Sequence, residues 1–215
     1  MKPADVDVLV PVLGRPHRVA PTLESIETTA PRARVLFIPD PDDEAELAAI
    51  KAAGAQHVPC SGNYAAKINY AVRITHAPLV FLGADDLQWH AGWLEACVAH
   101  VRRGAEVVGV NDLCSQRTQR GEHATHFLMT RRYATAPTVD GRPGPLFEGY
   151  DHSFVDDELI AVARSRGVLV IDPTIIVEHL HPDAGKAPTD ETYRKGRARI
   201  RQDRGIFHSR APLWT

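Results

Sequence analysis

The chain has 215 residues, 44% apolar and 24% charged, with a net charge of −2. That is enough for one packed domain with a tail, too balanced for a wholesale polyanion binder, and it includes no apolar run long enough to span a bilayer. The three cysteines, Cys60, Cys97 and Cys114, are odd in number and form no C-x-x-C, which excludes a disulfide framework and a zinc ribbon. At the N-terminus, MKPADVDVLVPV, acids interrupt the apolar residues and no signal peptide is recognisable, so the expected location is cytoplasmic.

In chain order, VDVLVPV (residues 6–12) predicts a β-branched strand, and after GRPHR the spacing of Val19, Leu23 and Ile26 predicts a helix. RVLFIP (34–39) predicts the next strand. DPDDEAELAAIKAAG predicts a helix with acids at its start, Leu47 and Ile50 on one face, and Gly54 as its stop. QHVPC reads as a short strand, NYAAKINYAVRIT as a helix, PLVFL as a strand, AGWLEACVAHVRRG as a helix ending at Gly104, and EVVGV as a further strand. Strands alternating with helices predict a parallel sheet covered on both faces. Ligands bind such sheets at the carboxyl ends of the strands, where Arg15, Asp40, Asp85 and Asp86 all fall.

The second half differs. ATHFLMTRRYA predicts a strand with a basic exit, TAPTVDGRPGPLFEGYDHSF a loop, and VDDELIAVARSRG a helix with Leu159, Val162 and Ala163 on one face. VLVIDPTIIVEHLHP gives two short apolar runs around Asp172 and Pro173, leading to Glu178, His179 and His181. Residues 183–215 are polar and basic. The cluster RKGRARIRQDR (194–204) reads as a solvated helix face, or as a contact for a phosphate-bearing ligand or nucleic acid.

Carboxylates at a strand end, as at Asp85 and Asp86, suit a hard divalent cation, although aspartate is also a common helix cap. His179, after a β-branched run, can complete the shell of a manganese-type ion; His181 shares its strand face. His123 and His126 stand at helical spacing, but in a segment that reads as loop into strand, so no metal is expected there. Asp156, Asp157 and Glu158 open a helix, either as macrodipole partners or as a general base for an acceptor hydroxyl. The preceding loop offers Tyr150, Asp151 and His152 for acceptor binding.

Taken in order, these segments resemble the GT-A glycosyltransferases, and within them the family 2-like enzymes. VLVPVLGRP resembles the family's opening strand and turn, FIPDPDD its base-binding aspartate, NYAAKINYAV its "aaaRNxG" helix and FLGADD its "FLDADD", the D-x-D motif. VDDELIAVARSRG resembles "eDxeLxxRxxxxG", and IDPTIIVEHLH resembles "vPxxxvyHxx". Gly83 departs from the first aspartate of D-x-D, and Val155 from the glutamate before the base.

The resemblance implies an α/β GT-A (Rossmann-like) fold, a mostly parallel central sheet flanked by helices with a helical or irregular C-terminal tail. Its domain would span 1–182, with a nucleotide-sugar half (1–112), an acceptor half (113–182) and a basic extension (183–215). It implies transfer of a sugar from a nucleotide-sugar, a UDP-sugar favoured, to an acceptor hydroxyl with inversion. Donor contacts map to Pro11, Arg15, Asp40, Lys67, Asn69, Ala84, Asp85 and Asp86; Mn²⁺ or Mg²⁺ to Asp85 and His179; and the base to Asp156, with Asp157 as its substitute one register away. The acceptor is left open: a glycan, a small molecule, or a polyanion such as DNA reached through the basic tail. The alternatives are a nucleotidyltransferase, which normally carries a glycine-rich phosphate loop where this chain has PVLGRPHR, and a non-catalytic sugar-nucleotide or nucleic-acid binding module.

Overall fold

A computed structural model describes residues 5–215. The expected alternation holds through the first half: β1 (Val6–Pro11), α1 (Val19–Thr29), β2 (Ala33–Ile38), α2 (Glu44–Ala52), β3 (Gln56–His57), α3 (Tyr64–Ile74) and β4 (Leu79–Leu82). A three-residue strand, β5 (Leu87–Trp89), then precedes α4 (Trp93–Arg102) and β6 (Val107–Asn111). The second half contributes α5 (Gln116–Gln119), β7 (Phe127–Thr130), α6 (Arg131–Thr135), α7 (Val155–Ser165), β8 (Leu169–His179) and the long α8 (Glu191–Arg210). Among the described residues no helix is long and apolar enough to cross a membrane.

One eight-stranded sheet runs β3-β2-β1-β4-β7-β6-β8-β5. Pairings β1–β2, β1–β4, β2–β3 and β6–β8 are parallel, and β7 and β5 enter antiparallel. Strand β1 shows why both faces must be covered: Val6, Val8 and Val10 enter one core with Phe81 and Trp93, while Leu9 enters the other with Ile68 and Leu82. Asp7, fully buried on the same strand, is held by Arg131 Nη2 at 2.6 Å and Arg34 Nε at 2.8 Å, and accepts from the backbone of Ala77.

Three features position the site. First, β4 ends in Gly83, whose amide donates to Leu9 O at 2.8 Å; a Cβ there would stand 2.9 Å from that oxygen. This close approach leaves no room for a side chain and accounts for the missing first aspartate of the motif. Second, β8 is one strand, not two apolar runs. Its register against β6 shifts between Val110 and Asn111, and the Asn111 amide bridges the bulge to Pro173 O at 2.9 Å. Beyond the bulge, β8 pairs with β5, placing His179 opposite Leu87 and so beside Asp86. The aspartate pair therefore leads into a strand and caps no helix.

Third, α8 is fastened across the loop before α7. Asp203, fully buried, accepts from the backbone amides of Asp151, His152 and Ser153 at 2.8–3.0 Å. Arg210 grips Glu158 with two hydrogen bonds, at 2.7 and 2.8 Å, and Phe207 stacks on Phe154. Phe154 sits at φ +67°, a left-handed backbone costly for a side chain of this size.

Replacing Asp203 by alanine would strand three amides at once. We expect unfolding stability to fall by about 2–4 kcal/mol in urea titration, with Asp203→Asn recovering part of it.

Candidate active site

Asp85 and Asp86 follow β4 directly, and their side chains are 6% and 5% exposed. Two adjacent carboxylates at that depth need a cation. Arg15, from the turn after β1, supplies it: Nη1 stands 2.9 Å from Asp85 Oδ1 and 3.0 Å from Asp86 Oδ2. Its Nε meets Asp190 Oδ2 at 2.7 Å, and the guanidinium lies 4.2 Å over the Tyr193 ring. Asp190 is also the N-cap of α8, accepting from the Tyr193 amide, and Tyr193 donates its hydroxyl to Asp86 Oδ2 at 2.6 Å. His179 Nε2 is 3.2 Å from Asp86 Oδ1.

These contacts divide the two carboxylates electrically. Burial, then the neighbouring Asp86, pushes Asp85 up from the usual carboxylate range. Burial alone would raise Asp86 as well, but the bonds from His179 and Tyr193 and the charge of Arg15 outweigh it and hold Asp86 down. His179 is in turn raised to about 10, its bonds to Asp86 and Cys114 overcoming burial.

Arg15 takes one oxygen of each carboxylate. Asp85 Oδ2 has no hydrogen-bond partner among the described residues, and Asp86 Oδ1 has only the imidazole. Carboxylate oxygens and a histidine nitrogen are donor types that suit Mn²⁺ or Mg²⁺, and Asp86 is in contact with His179; among the described residues, however, the trio whose ligand atoms lie within 4.8 Å of one another is Asp112, Cys114 and His179, and Asp85 does not join His179 in such a set.

Among the residues expected to contact the donor, Lys67 and Asp40 meet at 3.4 Å, and the same ammonium donates to Val12 O at 3.1 Å. Pro11 ends β1 next to them, and Ala84 precedes the carboxylate pair. Asn69, expected among the donor contacts, is not there. Its amide is spent on the 146–148 loop, donating to Leu146 O and Glu148 Oε1 and accepting from the Leu146 amide.

A cavity of about 370 Å³ is lined by Tyr64, His126, His152, Asp156, Asp157 and His179 among others. Of the three residues expected to bind an acceptor, only His152 reaches it. Tyr150 is buried, with its hydroxyl donating to Glu158 Oε2 at 2.6 Å, and Asp151 is exposed, facing Arg199. Asp156 and Asp157 open α7, whose N-cap, Phe154, gives no side-chain cap. Among the described residues His126 forms no ligand cluster with His123. Burial and the nearby His179 push it down to about 4, so it is neutral near pH 7; its Nδ1 faces Leu82 O and its buried Nε2 has no partner.

Sequence reasoning missed Tyr64, Asp190 and Tyr193, and weighed His123 only as a metal ligand. Tyr64 opens α3, donates to Gly83 O at 3.2 Å, and is pushed up by burial and by the charges of Asp156 and Asp86. Nothing local marks Asp190 or Tyr193, and the sequence offered His123 only as a ligand partner of His126.

The model for glycosyl transferase family 2 matches residues 7–161. Comparison with curated protein sequences gives no match. Among solved structures, a mannosyltransferase from Pyrobaculum calidifontis in complex with GDP-Man and Mn²⁺ superposes with a TM-score of 0.69 at 15% identity, over 98% of this chain and 70% of that one. Mycobacterium tuberculosis glucosyl-3-phosphoglycerate synthase superposes with a TM-score of 0.67 at 14% identity, over 97% and 81%. The same enzyme with Mn²⁺, UDP and phosphoglyceric acid gives 0.66 at 15% identity, over 97% and 78%. At these identities the likeness is one of fold.

Arg15→Met leaves both carboxylates without their cation. We expect thermal or urea unfolding near pH 7 to show a loss of about 3–5 kcal/mol. The loss should shrink as pH falls toward about 4, because a raised folded-state carboxyl binds its proton more tightly than the unfolded chain does, and stability then rises with acid.

Proposed function

The chain belongs to glycosyl transferase family 2, and on that premise we propose that it moves a sugar from a nucleoside-diphosphate sugar, a UDP-sugar favoured, to an acceptor hydroxyl with inversion at the anomeric carbon. The observation that supports this reading is that Asp86, in the turn between β4 and β5, meets His179 of β8 at 3.2 Å, and that His179 also lines the cavity carrying Asp156 and Asp157.

Asp40, beside Lys67, contacts the nucleoside, with Pro11 and Ala84 shaping the floor. Asp85, Asp86 and His179 would hold Mn²⁺ or Mg²⁺, which when bound neutralises the departing diphosphate. Arg15 bridges the two carboxylates. Asp156 accepts the acceptor's hydroxyl proton as the new carbon–oxygen bond forms and the bond to the diphosphate breaks on the opposite face. Asp157 stands next to it as the second carboxylate, and His152 borders the acceptor's approach. The Mn²⁺, UDP and GDP-Man named for the superposed structures agree with this assignment. The acceptor is a hydroxyl compound that enters the cavity lined by His152, Phe154 and Ile200.

Calorimetric titration with UDP and with GDP, each in Mn²⁺ and in EDTA, tests the donor site. Metal-dependent binding of one nucleotide, lost in Asp85→Ala, is expected; no binding of either sinks the reading and leaves a binding module of another kind. Asp156→Asn should keep nucleotide affinity while turnover falls at least about a hundredfold.

A further inference from the structure

Behind the two carboxylates that open α7 lies an imidazole that no motif marks. His123 comes from the segment between α5 and β7, and its side chain is 12% exposed. Its Nε2 is 3.1 Å from Asp156 Oδ2, and its Nδ1 is 3.9 Å from Asp157 Oδ1. We propose that His123 is a positioning residue for the transfer reaction, holding the Asp156 carboxylate by Oδ2 so that Oδ1 is left for the acceptor hydroxyl. This rests on the transferase reading above.

Three observations support the role. Asp156 Oδ1 has no hydrogen-bond partner among the described residues, while Asp156 and Asp157 both line the cavity. The first-turn amides of α7 carry no side-chain cap, and an aspartate at this position readily turns back onto such amides. In this chain neither aspartate does so, and the Asp156 carboxylate is drawn to His123 instead. Two adjacent carboxylates also repel, and an imidazolium set between them offsets that repulsion while fixing one rotamer of Asp156.

The groups facing His123 are Asp156 and Asp157 from α7 and Arg117 from α5. Burial and Arg117 oppose its proton; the bond and charge of Asp156 and the charge of Asp157 outweigh them, so the ring is raised above the usual histidine range. With Nε2 turned to Asp156 Oδ2, the ring holds the carboxylate, and the acceptor's proton goes to Asp156.

The pair is tested first without substrate. The imidazole titration of His123, followed by NMR with His123→Gln used to assign its signal, should move to lower pH in Asp156→Asn; an unmoved titration overturns the pair. The second test is hydrolysis of UDP-glucose and of GDP-mannose in Mn²⁺, with water as acceptor. For whichever donor is cleaved, His123→Ala should lower kcat about tenfold. Donor KM should be unchanged and the acid limb of the kcat profile should move to higher pH. His123→Gln, which keeps a donor to Oδ2 without the charge, should restore part of kcat but not the limb, and it serves if the alanine variant does not fold. A wild-type limb and kcat in both variants overturn the positioning role. Full hydrolysis in Asp156→Asn instead overturns the base assignment itself, a failure of the transferase reading that is distinct from failure of the His123 pair.

Discussion

A single guanidinium holds the site together. Arg15 compensates two carboxylates that would otherwise be buried side by side, and it recruits a third, Asp190, from the far end of the chain. The cost of burying charge is large unless partners are close and well aligned. Arg15 meets that demand for the turn after β1, the end of β4 and the start of α8 at once. The Tyr193 ring beneath the guanidinium and the Tyr193 hydroxyl on Asp86 close the arrangement. The placement of both carboxylates thus depends on one residue from the turn after β1.

The α8 helix is part of that machinery, although it lies beyond residues 7–161, where the family match stops. It has few buried positions: Tyr193, Gly196, Asp203 and Arg210. Each is used. Tyr193 serves the carboxylate pair, Gly196 admits the His152 ring (a Cβ there would come within 2.6 Å of it), Asp203 ties down the loop before α7, and Arg210 neutralises Glu158. Glu158, adjacent in sequence to Asp157, is therefore committed to packing, and Asp156 and Asp157 are the acids of that turn that reach the cavity.

Much of this was legible locally. Hydrophobic periodicity gave α1 to α4, α7 and the buried strands, and the rule that ligands gather at strand carboxyl ends picked out Arg15, Asp40, Asp85 and Asp86. What was not legible has a common cause. β5 is three residues long, too short to show a period, yet it carries the register that sets His179 beside Asp86. The bulge in β8 hides behind Asp172 and Pro173, which read as a break. Asn69 sits in a helix whose motif suggests donor contact, but its partners lie 77 to 79 residues away in a loop of no regular pattern. Tyr150 likewise spends its hydroxyl on Glu158 inside the core. His123 and Tyr193 act only through partners 33 and 107 residues distant, and local sequence cannot encode such pairings.

The contact between Arg15 and Asp190 joins positions 175 residues apart. The two ends of that contact are not equal: without Asp190, Arg15 still faces Asp85 and Asp86, whereas without Arg15 the buried aspartate pair loses its cation. Position 15 is therefore the more constrained of the two through descent, and relatives that differ in their C-terminal segment should vary at 190 before they vary at 15.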